Sequence, residues 1–329
     1  MATTVVKKEK TYKLTELINY YALCNRSEGK SEKTISWYSA NLLRFHNYLK
    51  ARHLPDSIKN TDIKLLREYV LHLLKRHRFE NHPYTPEKAE FLSAASVHGH
   101  VRTIRAFFSW LQREGFTETN IAKDLKPPKL VDKVISTLSD EEIFSIFHTF
   151  SPSSSSEMRN QTIFMLLIDT GMRIGELINL KMNDMNLPGG LMKVMGKGKK
   201  ERVVPMGSNA QKALQRYLFR HRPSPAHQAI ENVFLSIHGM PLTENSIKLV
   251  FTRLASKSGV ERLHAHLCRH TFATRYLING GDVFTLQQIL GHSTLEMVRH
   301  YANLASSHVA LQHQKYSPLD RLNLRKNNN

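Results

Sequence analysis

The side chains best able to do chemistry are concentrated between His264 and Tyr301. The stretch opens His264-Ala-His266-Leu-Cys268-Arg269-His270, passes through Leu290-Gly291-His292-Ser293-Thr294, and ends on Arg299-His300-Tyr301. His266, Arg269, His292 and Tyr301 supply one permanent cation, two titratable imidazoles and one phenol. A phenol becomes a nucleophile once it loses its proton, and guanidinium and imidazole groups neutralise an oxyanion. The set suits attack by a tyrosine on a phosphodiester, with no metal required.

Helices must hold these groups. From Arg269 the positions Phe272, Ala273, Tyr276 and Leu277 recur at helical spacing, and Gly280 and Gly281 end the run. Asp282 caps a second helix to Leu290. Ser293 and Glu296 form a capping box for a third, carrying Met297, Val298 and Tyr301. His292 then lies at a helix start, with Tyr301 about two turns further on.

Two stretches upstream add cations. In Asp169-Thr-Gly171-Met-Arg173-Ile-Gly-Glu176-Leu177, the glycine permits a turn, and Arg173 and Glu176 fall three apart on a helix to Leu180. An arginine leaving such a turn, beside the apolar run Ile163 to Ile168, can reach a phosphate. A surface Arg–Glu pair is the plain alternative. Strands at 191–195 and 202–205 flank Gly196-Lys197-Gly198-Lys199-Lys200, which predicts a β-hairpin with a mobile tip. Such a tip can insert a lysine into a DNA groove. It lacks the spacing of a phosphate-binding P-loop.

The chain has 329 residues, a net charge of +19 and two cysteines, Cys24 and Cys268. That length holds two domains with full cores. Two lone cysteines argue for a reducing compartment and against a disulfide framework. No apolar run reaches a membrane span, and no secretory signal follows the lysines of 1–13. The basic charge favours a polyanion, DNA or RNA first. Residues 1–127 carry 22 Lys+Arg against 13 Asp+Glu, and 128–329 carry 25 against 15. Two basic halves suit a clamp on a duplex.

Along the chain, residues 1–10 read as a flexible start. Apolar spacing then predicts four helices: one from Thr11, one capped by Ser31, one over 61–76, and one over 93–114 ending at Gly115. Residues 77–90 read as a loop. Arg102 and Arg105 share a face of the fourth helix, near His98, and form a candidate phosphate-contacting surface. Residues 11–127 thus form a small helical bundle. Pro127 and Pro128 break the pattern, and 128–136 has linker composition. Ser139 and Glu142 open a new helix with a capping box. Helices are expected near 208–221 and 243–257. The latter presents Lys248, Arg253 and Lys257, as a helix lying along a groove would.

Five ordered pieces resemble the tyrosine recombinase or phage integrase family, especially its Xer-like members. They are Thr170 to Leu177, Gly196-Lys197-Gly198, His266-Leu267-Cys268-Arg269-His270, Leu290-Gly291-His292, and Tyr301. The resemblance implies a mainly α fold with a small β-hairpin or sheet. A helical, SAM-like core-binding domain (11–127) would precede an α+β catalytic domain (137–305). It also implies roles. Arg173 and Arg269 bind the non-bridging phosphate oxygens, and Lys197 protonates the leaving 5′-oxygen. His266 assists proton transfer, His292 hydrogen-bonds the phosphate, and Tyr301 forms a 3′-phosphotyrosyl bond. That bond retains its energy, so rejoining through a Holliday junction needs neither ATP nor cofactor. Cys268 departs from the leucine common before the arginine, a change in packing only. The short N-terminus leaves no room for an arm-type DNA-binding domain.

Further implications concern partners: double-stranded recombination sites, a homotetramer on two such sites formed from monomers or weak dimers, accessory directionality proteins, and a cytoplasmic, nucleoid-associated setting. The 306–329 tail, with Leu319 and Leu322 on one small apolar face, would dock on a neighbouring protomer. Lys199, Lys200, Lys248 and Arg253 join Arg102 and Arg105 as candidate DNA contacts. Three rivals stand beside this reading: a zinc site on His264, His266, Cys268 and His270, a type IB topoisomerase, and a catalytically silent DNA-binding regulator.

Overall fold

The computed structural model describes residues 12–80, 84–130, 136–196 and 200–291, with positions 294, 301, 313, 317 and 318. The expectations for residues 1–10, Lys197, Lys199, His292, the capping box of Ser293 and Glu296, and most of the 306–329 tail lie outside the described residues. The chain divides between Asp132 and Lys133 into two compact units, each with its own core. The division falls inside the 128–136 stretch.

The first unit is helical: α1 (Leu14–Ser27), α2 (Glu32–Ala51), α3 (Ile63–Leu74) and α4 (Ala94–Arg113). Polar side chains start three of them. Ser31 accepts from the Thr34 amide, Asp62 from Leu65 and Ser93 from Ser96, so each cap satisfies an otherwise unpaired helix donor. The apolar stripes meet in a core that includes Leu17, Phe45, Leu66, Phe107 and Trp110. The stretch expected as a loop over 77–90 is partly a ribbon: β1 (His77–Arg78) pairs antiparallel with β2 (Lys88–Phe91). All four β2 residues are exposed, so no buried face writes an alternating pattern into the sequence. Side-chain pairs support the ribbon instead, with Arg78 to Glu90 at 2.6 Å and the His77 and Phe91 rings 4.7 Å apart.

The second unit holds α5 (Asp140–Phe147), α6 (Ser155–Thr170) and α7 (Ile174–Asn179). A three-stranded antiparallel sheet follows, in the order β3 (Met185–Asn186), β4 (Leu191–Met195) and β5 (Glu201–Pro205). Next come α8 (Ser208–Arg216), prolonged by a π turn over Tyr217–His221, then α9 (Glu244–Ser258), α10 (Ala265–Ile278) and α11 (Val283–Leu290). The apolar run on α6 is central, with Ile163, Phe164, Leu166 and Leu167 all fully buried. α10 packs against α6, and α11 against both α10 and β5. The fold is mainly α with small sheets.

Candidate active site

Helix α10 begins at Ala265, so His266, Arg269 and His270 all ride on its first turns. Residues four apart share a helix face. His266 and His270 do so, with ring centroids 4.3 Å apart, edge to face. Arg269, between them in sequence, is buried. Its Nη1 donates to the Gly171 carbonyl at 2.6 Å and its Nη2 to the Leu290 carbonyl at 2.8 Å. Burial first, and then the nearby Arg173, lower its pKa to about 10.

Gly171 makes that arrangement possible. It ends α6 in the left-handed region, φ +61, where a glycine carries no steric penalty. A Cβ there would lie 2.5 Å from Phe272 and 2.8 Å from Leu290, both packed over the turn. Two residues on, Arg173 starts α7. Its Nη1 donates to Glu176 at 2.9 Å and, at 3.4 Å, to the same Leu290 carbonyl that Arg269 uses. The two guanidinium groups therefore converge on one backbone oxygen.

Glu176 is buried and holds two arginines. Besides Arg173 it accepts from Arg202 through both oxygens, at 2.7 and 2.8 Å. Burial pushes its carboxyl up, but the hydrogen bonds from Arg202 and from the Arg173 backbone outweigh that, and the pKa is lowered. Arg202 also donates its Nε to the Ile289 carbonyl at 2.7 Å, so β5 is tied both to α7 and to the end of α11. Motif spacing misses this link. Its signal is the strand register: Arg202 lies opposite Val194, on the inward side with Met192 and Val204, where a charge needs a partner.

Tyr301 is 4% exposed. Its ring packs with Ala273, Leu277, Leu286 and Leu290. Its hydroxyl lies 2.9 Å from Nδ1 of His270. Burial raises the phenol pKa, while Arg269 and Arg173 act to lower it. His266 is exposed at the outer edge. Burial of its inner side, then Arg269, His264 and Arg173, hold its imidazole below the ordinary value. His270 is pushed to about 4 by burial, then by His266, His264 and Arg269. In the sequence, His270 stands out as part of the zinc rival and closes the His266-to-His270 piece, without a role of its own. Its position four residues after His266 is the available sign of a second role.

Arg173, Arg269, His266 and Tyr301 thus lie in one region; Lys197 and His292 are outside the described residues. The candidate DNA contacts Arg102 and Arg105 are both exposed on α4 of the first unit, Arg102 with its guanidinium 5.3 Å from the Trp37 ring centroid. Lys200, Lys248 and Arg253 are exposed on the second unit, whereas Lys257 is engaged by Glu157 at 2.9 Å. The zinc set does not converge: Cys268 is fully buried in the core, and His264 precedes the helix on the exposed side. Among the described residues no group of three or more His, Cys, Asp or Glu is arranged to hold a metal ion. Also among them, no helix is long and apolar enough to cross a membrane.

Comparison with known proteins extends these observations over most of the chain. A model of the phage integrase family matches residues 136–308, and one of the phage integrase N-terminal SAM-like domain matches 17–115. The chain is 29% identical over 306 residues to a protein named tyrosine recombinase XerD from Staphylococcus aureus, covering 92% of this chain and 99% of that one. The XerD of Staphylococcus haemolyticus is 28% identical over the same coverage. Among solved structures, the Tn1549 transposon integrase with transposon right end DNA has a TM-score of 0.71 at 18% identity, covering 93% of this chain and 100% of that one. The XerH recombinase bound to palindromic difH substrate has 0.69 at 22%, covering 92% and 85%. At these identities the structural likeness establishes the fold. The matches do not favour the topoisomerase or silent-regulator rivals. The chain belongs to the phage integrase family and is a site-specific DNA recombinase of the tyrosine type.

Proposed function

We propose that the chain cuts and rejoins DNA by attack of Tyr301 on the scissile phosphodiester, giving a 3′-phosphotyrosyl intermediate, and that two such exchanges pass through a Holliday junction. Arg173 and Arg269 bind the non-bridging oxygens. His266 assists proton transfer, His292 hydrogen-bonds the phosphate, and Lys197 protonates the leaving 5′-oxygen. The cations are side chains, so cleavage needs no metal ion, and the covalent bond conserves the energy for rejoining. The observation that carries this reading is the meeting of Arg173 and Arg269 on the Leu290 carbonyl, with the phenol of Tyr301 inside their field. Preorganised donors of this kind act on charge as it develops in the transition state.

The partners are double-stranded recombination sites, with four protomers on two sites and accessory proteins setting direction. The setting is cytoplasmic, on the nucleoid. DNA-bound relatives among the similar structures support the choice of polyanion. Exposed Arg102, Arg105, Lys200, Lys248 and Arg253, with Lys199, contact the duplex backbone. Tyr301→Phe tests the central step. The variant should bind DNA as the native chain does and form no denaturant-stable adduct, whereas native cleavage should persist in excess chelator. An adduct with the Phe variant would remove Tyr301 from the role.

A further inference from the structure

Tyr301 needs a group to take its proton, and its oxygen is held against one. We infer that His270 accepts the proton of Tyr301 during strand cleavage and returns it during rejoining. The inference rests on the reading of Tyr301 as nucleophile. Three observations support it. Nδ1 of His270 is 2.9 Å from the phenol oxygen, within reach for direct transfer. The phenol's direction is fixed, because its ring is packed among Ala273, Leu277, Leu286 and Leu290. The imidazole's direction is also constrained, by its place on α10 and by His266 edge-on at 4.3 Å. With Nδ1 accepting, the neutral ring carries its proton on Nε2.

The electrostatics couple this step to DNA. His266, His264 and Arg269 face His270, and Arg269 and Arg173 face Tyr301, so without DNA the imidazolium is disfavoured. A phosphodiester anion held by the two arginines offsets those charges, which favours a protonated His270. The base gains strength when its substrate arrives. In the forward step the Tyr301 O–H bond breaks and the proton goes to Nδ1. The phenol oxygen bonds to phosphorus, and the bond from phosphorus to the 5′-oxygen breaks. Its electron pair stays on that oxygen, which takes a proton from the donor proposed at Lys197. Rejoining reverses each transfer, and the imidazolium gives the proton back.

The experiment is single-turnover adduct formation at saturating protein on two substrates, ordinary DNA and DNA with a 5′-bridging sulfur at the scissile position. A thiolate leaves without being protonated, so the second substrate reports on the tyrosine side alone. A general base typically contributes about 100- to 10,000-fold. His270→Gln and His270→Ala should bind DNA within about twofold of native and lose roughly 100-fold or more in rate, equally on both substrates. Native rates in either variant would overturn the inference, as would recovery on the sulfur substrate, which would put His270 on the leaving-group side. Should melting show that the variants do not fold, the native chain on the sulfur substrate in ordinary and heavy water decides. A slower rate in heavy water supports proton transfer from the phenol to a base in the step, and an equal rate overturns it. Tyr301→Phe run alongside separates the two claims: an adduct there defeats the nucleophile reading itself, while no adduct there with fully active His270 variants defeats only this one.

Discussion

Arg269 carries a charge in the interior, donates to two carbonyls and lies in the field of the nucleophile. A lysine at that position keeps the charge but not the planar fork that spans Gly171 and Leu290. Arg269→Lys should therefore lower the adduct-forming rate by roughly 100- to 1000-fold, the usual loss for a donor to developing charge. DNA affinity, read by gel shift, should change far less. A native rate in the lysine variant would mean the fork geometry is irrelevant. At this scale the sequence is informative where chemistry is unusual: two arginines, histidines and a tyrosine in a fixed order. It is silent where chemistry depends on packing. Nothing in the letters says that Cys268 faces the core while its neighbour Arg269 bends back to the α6 turn, or that Glu176 serves Arg202 as well as Arg173. Those facts depend on elements far apart in sequence.

Elements set the geometry of these residues, and the turn from α6 to α7 does so most directly. Gly171→Ala would place an L-residue at φ +61, at a cost of roughly 1–2 kcal/mol. Its methyl carbon would also press on Phe272 and Leu290, adding roughly 1–3 kcal/mol of overpacking. Denaturant unfolding should show the loss in the midpoint. Because the Gly171 carbonyl anchors Arg269, adduct formation measured well below the transition should fall as well. An active, fully stable alanine variant would show that the turn relaxes freely. Helix starts are legible because caps are local: Ser31, Ser139 and Asp282 all accept from the first-turn amides that the sequence pattern assigns to them. The start of α10 reads late in the sequence, since His264 offers no side-chain cap. The β1–β2 ribbon escapes the pattern because it buries no face.

At the scale of the whole chain, charge is the property the sequence states most openly, and the net +19 is shared by both halves. Removing one cation that neutralises a phosphate should reduce the steepness of log affinity against log salt by about 0.9. The double variant Arg102→Ala, Arg105→Ala should flatten that slope by roughly 1.8, if both side chains neutralise phosphates. The same test applies to Lys248 and Arg253. An unchanged slope would return these residues to an ordinary solvated helix face. Pro127 and Pro128 mark the neighbourhood where the chain divides, because a proline pair supplies no amide donors and interrupts helical spacing.

The Leu290 carbonyl, which receives both Arg173 and Arg269, has a mechanical consequence. It lies at the last residue of α11, just before the left-handed turn at Gly291, over which the Arg202 side chain is packed. One oxygen is thus the common hinge pin for two guanidinium groups on separate helices. Any displacement of the end of α11 moves both anchors together and strains the β5 connection through Ile289. Such a displacement takes one anchor from each arginine at the same moment, leaving Arg269 on the Gly171 carbonyl and Arg173 on Glu176.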